Sequence, residues 1–255
     1  MQASVKIMDI DVDMLSNDVF IQKMNEYLND DHLDVIFFAS TELLNRAMED
    51  PEYRILIDRA ELFLPGEEAL LTNHHVDILE AGGMVVSCKS FGMMLENLTK
   101  EDRTLYIVAE NENRVALLQE YCKDMQPELR LVGDYSYDRE LEDELVINEI
   151  NSHSPDMILL SLPIGVQEEW IMEHVPLLNA RLCIAIGGVS GLILAEQKKT
   201  PGWVRKIHME GLYRRLVKEQ TVKKNVKARI FRKKITQYNN HNNVIVDDTK
   251  DSDLR

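Results

Sequence analysis

The chain has 255 residues, of which 44 are Asp or Glu and 29 are Lys or Arg, and the resulting net charge of −15 disfavours nucleic acid as a partner. Its three cysteines are widely separated and lack CxxC spacing, which argues against a disulfide framework and against a zinc site. No apolar run approaches the ~20 residues that cross a bilayer, and the first residues lack the basic segment of a signal peptide, so we expect a cytoplasmic protein.

Strand and helix patterns alternate from the start of the chain. The first segment, residues 4–12, alternates apolar and acidic residues and is typical of an edge strand or one half of a hairpin. The elements predicted after it are a helix over residues 17–29, a strand over 34–39, helices over 41–48 and 51–59, and a short strand over 60–64. Residues 67–103 are mainly helical in composition, with a break at Gly82-Gly83.

The second half of the chain repeats a strand–helix unit. Predicted strands cover residues 104–109, 129–132, 157–160 and 182–186, and predicted helices cover 113–125, 143–151 and 167–175. This alternation indicates an α/β fold with a Rossmann-like parallel sheet and flanking helices. We expect an α/β domain over residues 1–202, a basic helical C-terminal arm over 203–236 and a disordered polar tail over 237–255.

Two adjacent acids, Glu67 and Glu68, follow the strand that ends at Pro65-Gly66. Ligands of an open α/β sheet bind at the carboxyl ends of its strands, so these carboxylates stand where a general base would lie. The alternative is that both acids merely open the next helix, because the first turn of a helix favours negative charge.

A second polar pair, Gln167 and Glu168, follows the apolar strand 157–160 and a Pro/Gly turn. By the same argument the pair faces a ligand pocket. The alternative is again an ordinary helix N-terminus that carries a glutamate.

Gly187 and Gly188 follow the strand 182–186, and Gly191 comes shortly after. Glycines permit close approach of the backbone to a diphosphate or a sugar, and a helix N-terminus behind them would add positive potential. A tight strand-to-helix turn needs the same glycines. No acid stands at the spacing of a dinucleotide fingerprint, so a nicotinamide cofactor is not indicated.

Five segments follow one another in the order and spacing of a known family. They are Leu62-Phe-Leu-Pro-Gly-Glu-Glu-Ala69, Pro163-Ile-Gly-Val-Gln-Glu-Glu-Trp170, Ile186-Gly-Gly-Val-Ser-Gly191, Lys198-Lys-Thr-Pro-Gly-Trp203 and Met209-Glu-Gly-Leu-Tyr-Arg-Arg-Leu216. Together they resemble the WecG/TagA/CpsF family of glycosyltransferases over about residues 5 to 220.

The resemblance implies inverting transfer of a sugar such as N-acetylmannosamine from a UDP-sugar to a polyprenyl-diphosphate-linked acceptor at the inner face of the membrane. Such a step belongs to the biosynthesis of cell-surface polysaccharides such as teichoic acid, and no metal or cofactor is expected for it. Glu67 or Glu68 would be the catalytic base. The residues expected to bind substrate are Ser40, Gln167, Glu168, Gly187, Gly188, Arg214 and Arg215, the two arginines neutralising the leaving diphosphate.

The chain departs from the family pattern at several functional positions. The acid of the family's PDG motif matches Gly66, and a second family aspartate matches Gly191. An early asparagine matches Ser40, and Ala109-Glu110 puts an anion where the family receives the donor diphosphate. A second hypothesis follows from these losses, in which the chain is a catalytically degenerate relative that acts as a binding or scaffold partner in polysaccharide assembly.

Charge is unevenly distributed along the chain. Residues 1–202 hold 38 acids and 15 basic residues, whereas residues 203–234 hold 12 basic residues and 2 acids. Basic residues that alternate with apolar ones after residue 222 are typical of an amphipathic helix on an anionic membrane surface. The alternative is a solvated basic helix neutralised by the acidic domain. Self-association into a homo-oligomer stays open.

Overall fold

The computed structural model describes residues 3–72, 85–137 and 143–196, with residues 211, 213–215, 217–218, 229–231 and 233–237 near the C-terminus. Strands β1 (Ala3–Ile7) and β2 (Ile10–Met14) form an antiparallel two-stranded sheet. Met8 and Asp9 join them with φ angles of 51° and 60°. Positive φ at both central residues matches the right-handed twist of the two strands. The sequence predicted a single strand over residues 4–12, whereas this segment contains parts of both strands of a hairpin and the turn at Met8-Asp9, whose positive φ angles no periodicity in the sequence marks.

A six-stranded parallel sheet forms the centre of the fold. Its strands are β3 (Asp34–Ala39), β4 (Leu62–Pro65), β5 (Thr104–Ala109), β6 (Arg130–Ser136), β7 (Met157–Ser161) and β8 (Leu182–Ala185). They lie in the order β4-β3-β8-β7-β5-β6, and every neighbouring pair is parallel. The predicted Rossmann-like α/β class is confirmed.

Helices connect the strands. They are α1 (Asn17–Leu28), α2 (Thr41–Glu49), α3 (Pro51–Ile57), α4 (Glu68–Thr72), α5 (Cys88–Lys100), α6 (Glu112–Met125), α7 (Asp143–His153), α8 (Val166–His174) and α9 (Ser190–Ala195). Ser16, Ser40 and Asn111 cap three of these helices by accepting a backbone N–H bond through the side-chain oxygen.

Apolar cores fill both faces of the sheet. Helices α1, α5, α6 and α9 pack on one face, and α2, α3, α4, α7 and α8 pack on the other together with the hairpin. The central strands β7 and β8 are buried throughout, which explains why both read as continuous apolar runs in the sequence.

Strand β6 is longer than the sequence predicts. It runs to Ser136 rather than ending at Val132, and most of its residues are only half buried. As an edge strand it pairs with β5 alone. Its second half contains Gly133, Asp134 and Ser136, so no apolar period marked it as a strand.

The described parts of the C-terminal arm contact both faces of the domain. Tyr213 is buried, and its hydroxyl donates a 2.8 Å hydrogen bond to the Leu194 carbonyl at the end of α9. Phe231 and Ile235 are buried in the opposite core. Among the described residues no helix is both long and apolar enough to cross a membrane. The domain boundary at residue 202 and nearly all of the tail lie outside the described residues, so both stay predictions.

Candidate functional site

The sheet order brings most of the predicted site residues to one edge. Strands β4, β3, β8 and β7 are neighbours, and all their carboxyl ends point the same way because the strands are parallel. Glu67 follows β4 and Ser40 follows β3, while Gly187 and Gly188 follow β8. The pair Gln167 and Glu168 begins the helix after β7.

A crevice is expected between β3 and β8. Helix α2, which follows β3, buries Leu43 in one core, and α9, which follows β8, buries Ile193 in the other. Helices that leave neighbouring parallel strands toward opposite faces open a ligand crevice between the strand ends. Ser40 and Gly188 meet at this point, since a Cβ built on Gly188 would lie 3.0 Å from the Ser40 Oγ.

Of the two adjacent acids, Glu67 has the position of a site residue. Its side chain is half buried, and its Oε2 accepts a 3.3 Å hydrogen bond from the backbone N–H of Thr41, the first residue of α2. The contact holds the carboxylate against the carboxyl end of β3. Glu68 is exposed in the first turn of α4. The geometry therefore favours Glu67 over Glu68 as a base.

Gln167 and Glu168 form a buried network under the same edge. Glu168 Oε2 accepts a 2.5 Å bond from the Gly165 N–H, and Glu168 Oε1 accepts a 2.5 Å bond from Gln167 Nε2. Gln167 Oε1 accepts a 2.8 Å bond from the Gly187 N–H. Burial raises the pKa of Glu168, and these hydrogen bonds oppose the rise by favouring the charged form.

Three residues near this edge were not predicted from the sequence. Thr41 is fully buried, and its Oγ1 has no hydrogen-bond partner among the described residues. Tyr53 lies close to the Glu168 carboxylate, and burial followed by that negative charge raises the pKa of its hydroxyl. Arg46 stacks over the Tyr53 ring at 4.6 Å and bonds Glu169. The only signal for these residues in the sequence is their spacing along α2 and α3, and that spacing is typical of any amphipathic helix.

The sequence profile of the Glycosyl transferase WecG/TagA/CpsF family matches residues 5–228. The chain belongs to this family. Curated relatives include an N-acetylglucosaminyldiphosphoundecaprenol N-acetyl-beta-D-mannosaminyltransferase of Staphylococcus aureus strain NCTC 8325, 21% identical over 237 residues. The protein of that name from strain MRSA252 is 23% identical over 248 residues. Each alignment covers 92% of this chain and 93% of the relative, and the resemblance found in the sequence is confirmed.

At position 66, where the resemblance predicts an acid, a side chain would not fit. A Cβ on Gly66 would lie 2.6 Å from Val189 Cγ1 and 2.7 Å from the Ala39 carbonyl oxygen. The second contact is with backbone, which cannot rotate away. Glycine is therefore the residue that the packing of β3, β4 and the β8 turn requires here.

The anion that replaces the family's glycine after β5 is neutralised within the chain. Glu110 Oε1 accepts bonds from Arg114 Nη2 at 3.3 Å and Arg114 Nε at 3.4 Å. The i,i+4 spacing of the two residues could have revealed this pair in the sequence. Glu110 thus does not present an uncompensated negative charge at the end of β5.

Arg214 and Arg215 are exposed helical residues of the arm, next to the buried anchor Tyr213. The binding of the diphosphate by Arg214 and Arg215 stays a prediction. Within the same residues, no group of three His, Cys, Asp or Glu side chains could hold a metal ion.

Proposed function

We propose that this family member transfers N-acetylmannosamine or a similar sugar from a UDP-sugar to a polyprenyl-diphosphate-linked acceptor. The name of the Staphylococcus aureus relatives supports this choice of sugar and acceptor. The observation that carries it in this chain is the carboxylate of Glu67 at the carboxyl edge of the sheet. It keeps an acid beside the position that the family fills with aspartate.

Glu67 is the proposed general base. Its carboxylate takes the proton from the acceptor hydroxyl while that oxygen attacks the anomeric carbon of the donor sugar. The bond between the anomeric carbon and the diphosphate oxygen breaks, and UDP leaves with the electron pair. A single displacement of this kind inverts the configuration at the anomeric carbon.

The donor diphosphate is proposed to lie against the turn at Gly187-Gly188. The turn lies at the carboxyl end of β8, where ligands of open sheets bind, and the Ser40 hydroxyl lies beside Gly188. Arg214 and Arg215 are proposed to supply the positive charge that stabilises the departing diphosphate, a task that suits guanidinium groups. Glu68 is exposed and is not needed in this scheme.

The arm is proposed to bring the protein to the inner face of the membrane. Arg229 and Lys233 are exposed, whereas the apolar Phe231 is used for packing against the domain. Attraction of the arm to an anionic surface therefore depends on charge, at about 1 kcal/mol for each basic residue near the surface. Lys234 is less available because it bonds Glu49 of α2 at 2.6 Å, which supports partial neutralisation by the acidic domain.

Calorimetric titration with UDP and with UDP-linked N-acetylmannosamine, N-acetylglucosamine and glucose tests the donor. A transfer assay with a short polyprenyl-diphosphate-linked N-acetylglucosamine tests the acceptor, and sedimentation with anionic vesicles tests membrane binding. The proposal predicts binding of one UDP-sugar, transfer of its sugar, and vesicle binding that weakens as salt is raised. A protein that binds no nucleotide would be a scaffold, the second hypothesis raised by the sequence.

A further inference from the structure

We propose that Gln167 and Glu168 are positioning residues that lock the turn after β8 to the turn after β7, and that neither touches the sugar nucleotide. The inference rests on the proposed function only in taking the Gly187-Gly188 turn as part of the donor site. It changes the role that the sequence predicts for this pair.

The polar atoms of both side chains are directed into the protein. Glu168 is 0% exposed and Gln167 is 1% exposed. Both Glu168 oxygens accept hydrogen bonds, one from the Gly165 N–H and one from Gln167 Nε2. The buried Tyr53 hydroxyl lies near the same carboxylate but makes no hydrogen bond among the described residues. Because Glu168 is fully buried, a ligand could reach these oxygens only by displacing the protein atoms that cover them.

The network ends on the backbone of the candidate donor site. Gln167 Oε1 accepts the Gly187 N–H, so its orientation is fixed with the amide NH2 toward Glu168. Gly187 is pressed so closely against the preceding turn that a Cβ on it would lie 1.8 Å from the Leu162 carbonyl oxygen. The next residue, Gly188, packs against Ser40.

A line of contacts therefore runs from Glu168 through Gln167 and Gly187 to the Ser40–Gly188 contact. Neither Gln167 nor Glu168 can be replaced by a similar amino acid without losing a hydrogen bond of this line. A glutamate at position 167 would oppose two carboxylates, and a glutamine at position 168 would oppose its NH2 to one of the two donors that Glu168 now accepts. The requirement for one amide and one carboxylate in this order follows from the backbone groups they serve.

The test is amide hydrogen exchange of Gly187, measured residue by residue by NMR on the unliganded full chain. Q167A and E168Q are both expected to speed exchange of this N–H by about tenfold, the effect of weakening one hydrogen bond. E173Q is the matched control, because Glu173 is an exposed glutamate of the same helix. The effect of E168Q should disappear in the Q167A background, since Glu168 acts on Gly187 through Gln167.

A second readout is calorimetry with UDP on the wild type, Q167A, E168Q and the double variant. A positioning role predicts that the Kd for UDP rises together with Gly187 exchange, because the loosened turn is the proposed diphosphate site, and that E168Q adds no further loss of binding in the Q167A background. Unchanged Gly187 exchange in both variants overturns the proposal, and so does a Kd for UDP that E168Q weakens equally in the wild-type and Q167A backgrounds, as direct contact with the nucleotide would. If the wild type binds no UDP-sugar the proposed function fails, but the exchange measurement still decides whether the pair positions the turn.

Discussion

At the scale of single residues, packing explains why position 66 is a glycine. Gly66 cannot carry a side chain because the Ala39 carbonyl oxygen and Val189 occupy the space. The next residue, Glu67, then provides a carboxylate at the same strand end, held by the Thr41 N–H. The proposed shift of the base by one position is consistent with the tight packing of Gly66 between the Ala39 carbonyl oxygen and Val189.

Placing an aspartate at position 66 should therefore destabilise the folded protein. G66D is expected to lower the free energy of unfolding by about 2–3 kcal/mol, because the new side chain meets backbone that cannot yield. Urea unfolding measures the change. G211A is the control, since nothing lies within 4 Å of a Cβ at this exposed helical glycine. Its stability should stay equal or rise by up to about 1 kcal/mol. A G66D protein as stable as the wild type and faster in transfer would contradict this explanation.

The sequence identifies the polar residues of the site but not the direction of their side chains. Gln167 and Glu168 were found because they follow a Pro/Gly turn at a strand end. Glu168 bonds Gly165 within its own turn. Gln167 bonds Gly187, which is 20 residues away in the chain and lies in the next turn. Only the pairing of β7 with β8 makes that contact, and no local pattern encodes it.

At the scale of elements, the strands and helices were predicted well where burial is complete. Strand β3 has the predicted bounds, because all six of its residues are buried and apolar or flank an apolar run. Helix α2 begins where Ser40 caps it, as its side chain predicts. Edge strand β6 was predicted too short, because its exposed half carries polar residues that resemble a loop.

In the C-terminal arm the sequence predicts the type of element but not the surface against which it packs. Its basic and apolar residues predict an amphipathic helix whose apolar side faces a membrane. In the described part, Phe231 is 0% exposed against the domain, while Ile230 is 49% exposed. The apolar side is thus used at least partly within the protein. A sequence cannot tell which apolar surface such a helix covers.

Packing of the arm can be tested by trimming Phe231. F231A is expected to loosen the arm, because a fully buried phenylalanine contributes about 3–5 kcal/mol relative to alanine. Trypsin should then cut after Lys233 and Lys234 faster than in the wild type. I230A should leave the cleavage rate unchanged, since Ile230 is largely exposed. Equal cleavage rates for the two variants would show that Phe231 does not anchor the arm.

At the scale of the whole molecule, the strand order determines the site. The pair β3 and β4 is far in sequence from the pair β7 and β8, yet β3 and β8 are neighbours in the sheet. The alternation of strands and helices predicted a parallel sheet, and the family resemblance predicted the residues, but neither gives the order β4-β3-β8-β7-β5-β6. That order results from packing the helices over both faces of the sheet.

The account as a whole depends on a base that has moved by one residue, and the transfer rates of E67Q and E68Q test it most directly. Glutamine at position 67 can still accept the Thr41 N–H but cannot take a proton. E67Q is therefore expected to lower kcat by at least about 100-fold at unchanged stability. E68Q, altered at an exposed position, should stay within about twofold of the wild type. Full activity in E67Q, or an equal loss in both variants, would contradict the assignment of Glu67 as the base.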